Sequence, residues 1–178
     1  MKFLIFVFSI GLLMNCNNSK SYTTENTNKA QTSEIKTEID SLITNWHKAA
    51  SEANLNNYFD LMDSNSIYIG TDAKENWTKK EFKDFCEPYF EKGKTWNFKT
   101  LKRNIFVSKT AENVWFDEIL KTQMGTCRGS GVLEKSDNGW KIKHYVLSVA
   151  IPNEDMDDVV NIKSEKDSVF LNNLKIDG

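Results

Sequence analysis

The residues best placed to do chemistry lie in the alternating stretches of the C-terminal half. In Trp115–Leu120, period-two alternation puts Phe116, Glu118 and Leu120 on one face and Trp115, Asp117 and Ile119 on the other. Phe116 and Leu120 mark the Glu118 face as the buried one. In the next run, Arg128, Ser130 and Val132 share a face. A tight two-residue turn at Met124-Gly125 pairs Lys121 with Arg128 and turns Arg128 toward Asp117; one further loop residue turns it toward Glu118. The apolar neighbours favour Glu118. The expectation is a buried Glu118–Arg128 pair able to hold an anionic or carbonyl group, with a purely structural cross-strand ion pair as the alternative.

The last alternating run places Trp140, Ile142, His144 and Val146 together, facing inward. His144 is then a polar group in an apolar wall: a ligand hydrogen-bonder or a base near neutral pH, or a satisfied core histidine. His47 follows Trp46 on an amphipathic stretch and is expected at the surface. Asp72 and Trp77 flank a turn after Gly70, where they could rim a cavity mouth; an Asp bonding its own backbone explains the same pattern. Gly129 and Gly131 sit inside a strand-like run, which points to curvature or to close approach of another group. No Ser-His-Asp order, nucleotide loop or metal-ligand spacing is present, so no cofactor or metal is expected and no catalytic residue is assigned. Proton transfer by Glu118, Asp72 or His144 is the chemistry these residues could support.

Positioning these groups requires the following elements. Ser33 can cap a helix carrying Ile35, Ile39, Leu42, Ile43, Trp46, Ala50 and Ala53 at three- and four-residue steps. Asn54 can cap a short helix with Leu55, Tyr58, Phe59 and Met62. Residues 66–70 read as a strand. Thr78 and Glu81 form a capping-box pattern opening a helix that Pro88 should end or kink and Gly93 should stop. Four strand-like runs follow at about 95–107, 113–123, 126–136 and 139–151, with the second and third, and the third and fourth, joined as hairpins. After Pro152-Asn153 an acidic, loosely periodic segment predicts a C-terminal helix. Helices gathered on one face of a curved antiparallel sheet make an α+β fold, with a cone whose open end suits a pocket.

The N-terminus carries an address. Lys2 precedes an apolar stretch from Phe3 to Met14, too short for the ~20 apolar residues of a membrane span and suited to a signal peptide. Leu12-Leu13-Met14-Asn15-Cys16 resembles the lipobox of bacterial lipoproteins, departing from it at Asn15. This predicts a signal at 1–15, lipidation of Cys16, a polar flexible tether over 16–33, a folded domain at 34–153 and a helical tail at 154–178. The protein is then secreted across the inner membrane and anchored in the cell envelope, facing the periplasm or the outside. The net charge of −2 gives no electrostatic footprint for nucleic acid. Cys86 and Cys127 remain for a disulfide or for burial as free thiols.

Four segments, in this order, carry a family resemblance: GTDAKENWT (70–78), WFDEIL (115–120), CRGSGVLEK (127–135) and WKIKHYVLSVAIPN (140–153). They resemble the SnoaL-like branch of the nuclear transport factor 2 (NTF2-like) superfamily, over about residues 35–153. The resemblance implies a cone-shaped α+β barrel, often dimeric through its sheet, with a cavity between sheet and helices. The superfamily holds cyclases, isomerases and dehydratases beside non-catalytic binding proteins, so fold does not decide function. The leading expectation is a lipid-anchored envelope domain that binds a small apolar or amphipathic molecule in the cone. A protein–protein assembly module and an isomerase-, cyclase- or dehydratase-type enzyme are the alternatives.

Overall fold

The computed structural model describes residues 19–174, with side chains from residue 29 onward. The signal segment and Cys16 lie outside the described residues. The elements run α1 (Ser19–Ser51), α2 (Leu55–Asp60), β1 (Met62–Ile69), β2 (Asn76–Thr78), α3 (Lys79–Glu91), β3 (Lys99–Val107), β4 (Asn113–Thr122), β5 (Gly125–Ser136), β6 (Gly139–Val149), a short 3-10 turn and α4 (Met156–Asn173).

The apolar stripe of α1 is buried as its spacing requires: Ile35, Ile39, Ile43, Trp46 and Ala50 all face the core. The chain is already helical at Ser19, however, well before the expected Ser33 cap. Residues 19–33, expected as flexible tether, are therefore helical backbone. That stretch has neither Pro nor Gly, so nothing stops a helix once its packed lower turns have met the cost of nucleation. Asn54 caps α2 by accepting from the Asn57 amide at 3.1 Å. Thr78 and Glu81 form the capping box of α3. Pro88 does not end α3, which runs on to Glu91. Phe90, one turn beyond the expected break, is buried against Tyr58, Phe59 and Trp96 and holds the last turn in place.

The strands form one sheet in the order β2-β1-β6-β5-β4-β3. Both expected hairpins are present, but the sheet is mixed rather than wholly antiparallel, because β1 runs parallel to β6. Two bulges decide which side chains face inward. In β3, Leu101 is an extra residue: Thr100 pairs with Leu120, yet Lys102 pairs with Ile119 and Arg103 with Glu118. In β6, Lys143 is the extra residue, since Ile142 pairs with Leu133 and His144 with Val132. A bulge of this kind reverses the facing of every residue beyond it.

The space between the helices and the inner face of the sheet is filled by rings. Trp46 stacks on Tyr58 at 4.9 Å and meets Tyr145 edge-on at 4.8 Å. Tyr68 stacks on Phe82, and Phe116 lies against Tyr145. Ring packing of this density makes a core and leaves little of the cone open. Cys86 and Cys127 are both buried and free, with no disulfide between them. The C-terminal helix α4 forms as expected but buries no residue.

Candidate functional site

Glu118 is the centre of the molecule's polar interior. It is fully buried, 0% exposed, on the inner face of β4 as alternation demands. Its partner is not Arg128. The β4–β5 turn is Gln123-Met124, with Gly125 at φ +85° closing it, and Arg128 lies opposite Ile119. An even-length loop keeps Arg128 on the Asp117 face, outside the sheet, where it is exposed. The partner is Arg103, brought inward by the Leu101 bulge. Without that extra residue Lys102 would oppose Glu118 and Arg103 would point to solvent.

Five hydrogen bonds converge on the carboxylate. Oε1 accepts from His47 Nε2 at 2.7 Å and from Tyr145 Oη at 3.1 Å. Oε2 accepts from Arg103 Nε at 3.0 Å, Arg103 Nη2 at 2.8 Å and Thr100 Oγ1 at 3.3 Å. Arg103 is satisfied in turn: Nη2 donates to Thr100 Oγ1 at 3.0 Å, and Nη1 to the Asp40 carbonyl, Asp40 Oδ1 and Thr44 Oγ1. Burial pushes the Glu118 carboxyl upward, but the His47 hydrogen bond and the charges of His47 and Arg103 outweigh it and hold it below the usual carboxylate range. Burial, then the Glu118 charge, pushes the Tyr145 phenol well up, so Tyr145 remains a donor. An ionised carboxylate has about four lone-pair positions. With five donors on it, Glu118 has none free to take a proton from a substrate.

His47 is the second surprise, buried at 5% exposure rather than at the surface. The signal for it was available: His47 stands four residues after Ile43 and eight after Ile39, on the buried stripe. Arg103 and Tyr145 carried no such signal, because both owe their inward facing to bulges. Gly129, opposite Glu118 on β5, is required by close approach: a Cβ there would strike Tyr145 Oη and sit 3.0 Å from Glu118 Oε1.

The other expected site residues lie elsewhere. The Lys143 bulge turns His144 to the outer face, half-buried beside Val132, while Tyr145 takes the inward place. Asp72 has turn chemistry: its Oδ1 accepts from the Lys74 amide at 2.9 Å, and its own amide donates to Glu75 Oε2 at 3.0 Å. It borders an open groove against α4, away from Glu118. Trp77 stacks between Phe82 and Phe85 at the β2 edge. Of the five proposed ligand contacts, Glu118 alone joins the buried cluster.

The SnoaL-like domain family matches residues 39–152. The chain belongs to that family. Solved structures share the fold at low identity. An NTF2-like protein of unknown function from Pseudomonas putida matches with a TM-score of 0.59 at 11% identity, over 68% of this chain and 91% of that one. An NTF2-like protein from Cytophaga hutchinsonii matches with a TM-score of 0.53 at 15% identity, over 65% and 98%. A protein from Streptomyces avermitilis, provisionally named a dehydratase of the NTF2-like family, matches with a TM-score of 0.57 at 10% identity, over 68% and 99%. Identities this low establish the fold alone. No functionally curated protein matches the sequence. The SnoaL-like chain thus combines its family's α+β fold with a ring-packed interior and a saturated buried ion cluster.

Proposed function

We propose that this SnoaL-like domain works by association rather than by catalysis, pairing with a second copy of itself through the outer face of its sheet. The observation that carries this reading is an apolar row on that face: Phe106, Trp115 and Val132 are neighbours across three strands and all exposed, Trp115 at 47%. Phe106 and Trp115 stack on one another at 5.8 Å. The inside of the same sheet is already packed with rings, and its carboxylate is saturated, so neither binding in the cone nor proton abstraction by Glu118 fits the geometry as well. Large exposed apolar rows on a soluble domain mark association surfaces.

The polar surroundings suit a two-fold pairing. Arg128 has no ion-pair partner among the described residues, and Asp117 lies on the same face, two residues from the point opposite Arg128. A two-fold axis through the centre of the face brings Arg128 of each copy toward Asp117 of the other. Four strands about 4.8 Å apart and about nine residues long present a face of roughly 19 by 30 Å. With side-chain relief this approaches the ~800 Å² per partner of a standard interface. Lipidation of Cys16 completes the proposal: acyl chains supply the membrane affinity and the domain supplies the contact.

Sedimentation equilibrium tests the pairing. The wild-type chain is expected to be dimeric at concentrations near ~10 µM, and Trp115→Asp to be monomeric with an unchanged far-UV spectrum. A wild-type monomer at ~100 µM, or a Trp115→Asp dimer, refutes the proposal. Loss of detergent-phase partitioning in Cys16→Ser tests the anchor separately.

A further inference from the structure

The C-terminal helix α4 is the element whose own contacts account least for its stability. It runs eighteen residues, Met156–Asn173, yet buries none of them. Its first turns hold Asp157, Asp158, Val159, Val160 and Asn161, all weak helix formers. Its N-cap, Asp155, makes no side-chain hydrogen bond to the first turn. One ion pair, Lys163–Asp167 at 3.2 Å, runs along the helix. A helix in water owes most of its stability to tertiary packing of an apolar side. Such residues are present in α4, but they face outward: Val160, Ile162, Val169 and Leu171 are each more than half exposed, Ile162 at 80%.

Position and area point to what covers them. α4 follows β6 after a short turn and borders an open groove lined by Ile69, by the loop 70–74 and by its own Phe170. Ile69 belongs to the outer face of the sheet, because its neighbour Tyr68 stacks inward on Phe82. Ile69 stands opposite Val146 on β6, and Ile67 stands opposite His144, which lies beside Val132. The outer row through Phe106, Trp115 and Val132 therefore continues across β6 and β1 to the edge of the α4 groove. The sheet face of roughly 19 by 30 Å has a projected area of about 570 Å², short of the ~800 Å² per partner of a standard interface. At 1.5 Å per residue α4 is about 27 Å long, and one side of a helix about 10 Å wide adds about 270 Å². Face and helix together reach the standard size. A lipid surface is the poorer match, since α4 carries four acids against two lysines, whereas helices that lie on membranes are rich in cations on their polar side.

We propose that the exposed apolar side of α4 packs on the second copy in the sheet-to-sheet dimer, each helix extending the outer face on which its partner sits. The inference rests on the pairing proposed above. It makes α4 a helix whose packing is complete only in the dimer.

Amide hydrogen exchange on the full-length chain tests this. In wild type at ~100 µM the amides of residues 160–173 are expected to exchange slowly. In Trp115→Asp, expected to be monomeric, they should exchange fast while β4 and β5 keep their protection. A variant carrying Val160→Gln, Ile162→Gln, Val169→Gln and Leu171→Gln keeps helix propensity and removes the apolar side. By sedimentation equilibrium its dimer dissociation constant should rise about a hundredfold, the loss for two such side chains leaving an interface. Equal protection of α4 in Trp115→Asp, or a four-residue variant within about threefold of the wild-type constant, overturns the role of α4 and leaves the sheet pairing standing. A wild-type monomer at ~100 µM overturns both. Protection of α4 in Trp115→Asp that appears only on adding phosphatidylcholine vesicles makes a membrane its occupant and also overturns the proposal.

Discussion

Replacing Glu118 by Gln removes one charge from the centre of the fold while keeping its shape. The carboxylate holds five donors. A Gln amide has one acceptor oxygen and an NH₂ group that accepts nothing. Its best placement puts the oxygen on Arg103 and Thr100, which leaves the NH₂ facing His47 Nε2 and Tyr145 Oη. His47 must then change tautomer and Tyr145 must rotate to accept. Hydrogen bonds to charged groups contribute ~1.5–3 kcal/mol each, and breaking a buried ion pair costs ~3–5 kcal/mol. The expected loss is ~3–5 kcal/mol, because two bonds go and the other three lose the charge on their acceptor. In a domain of this size each kcal/mol is worth roughly 2–4 °C, so the melting temperature should fall by roughly 6–20 °C.

The pH dependence has a definite sign. Glu118 is held below the usual carboxylate range in the folded state. Its contribution is therefore complete above the unfolded value of about 4.3 and is lost as pH falls through the lower folded value. Urea unfolding followed by Trp fluorescence, at fixed protein concentration, should show a gap between wild type and Glu118→Gln at about pH 5 that shrinks as pH falls below about 4.3. A gap under ~1 kcal/mol at about pH 5, or one that grows as pH falls further, refutes this account of the cluster.

Arg103→Ala should cost ~3–5 kcal/mol by stranding Glu118, whereas Arg128→Ala should change the stability of dilute monomer by no more than ~0.5 kcal/mol; denaturant titration of both variants separates the observed partner from the one that alternation suggested. Gly129→Ala drives a methyl group into Tyr145 Oη and should cost ~1–3 kcal/mol, and adding Tyr145→Phe to it should be less than additive by thermal melts, since the clash goes with the hydroxyl. Burial pushes the Cys86 thiol up, so Cys86 should resist a disulfide reagent at about pH 8 in the folded chain and react at once in denaturant.

Much of the fold was legible in local pattern. The amphipathic stripe of α1, the capping box at Thr78 and Glu81, both hairpins and the inward facing of Glu118 follow from residue spacing, because each depends on neighbours a few positions away. The buried stripe even contained His47, although its polarity argued for the surface. What the sequence alone could not decide was the set of partners around Glu118. Leu101 and Lys143 are bulge residues, and nothing in KTLKRN or WKIKHY distinguishes an extra residue from the next step of a regular strand. Each bulge is chosen by the sheet as a whole. Without them Lys102 and His144 would point inward; with them Arg103 and Tyr145 do, and one carboxylate gains four of its five hydrogen bonds from residues that become neighbours through sheet curvature and register. Period-two reasoning carries a face along a strand only until the register slips by one, and the slip is decided by tertiary packing against α1 and the ring-filled cone.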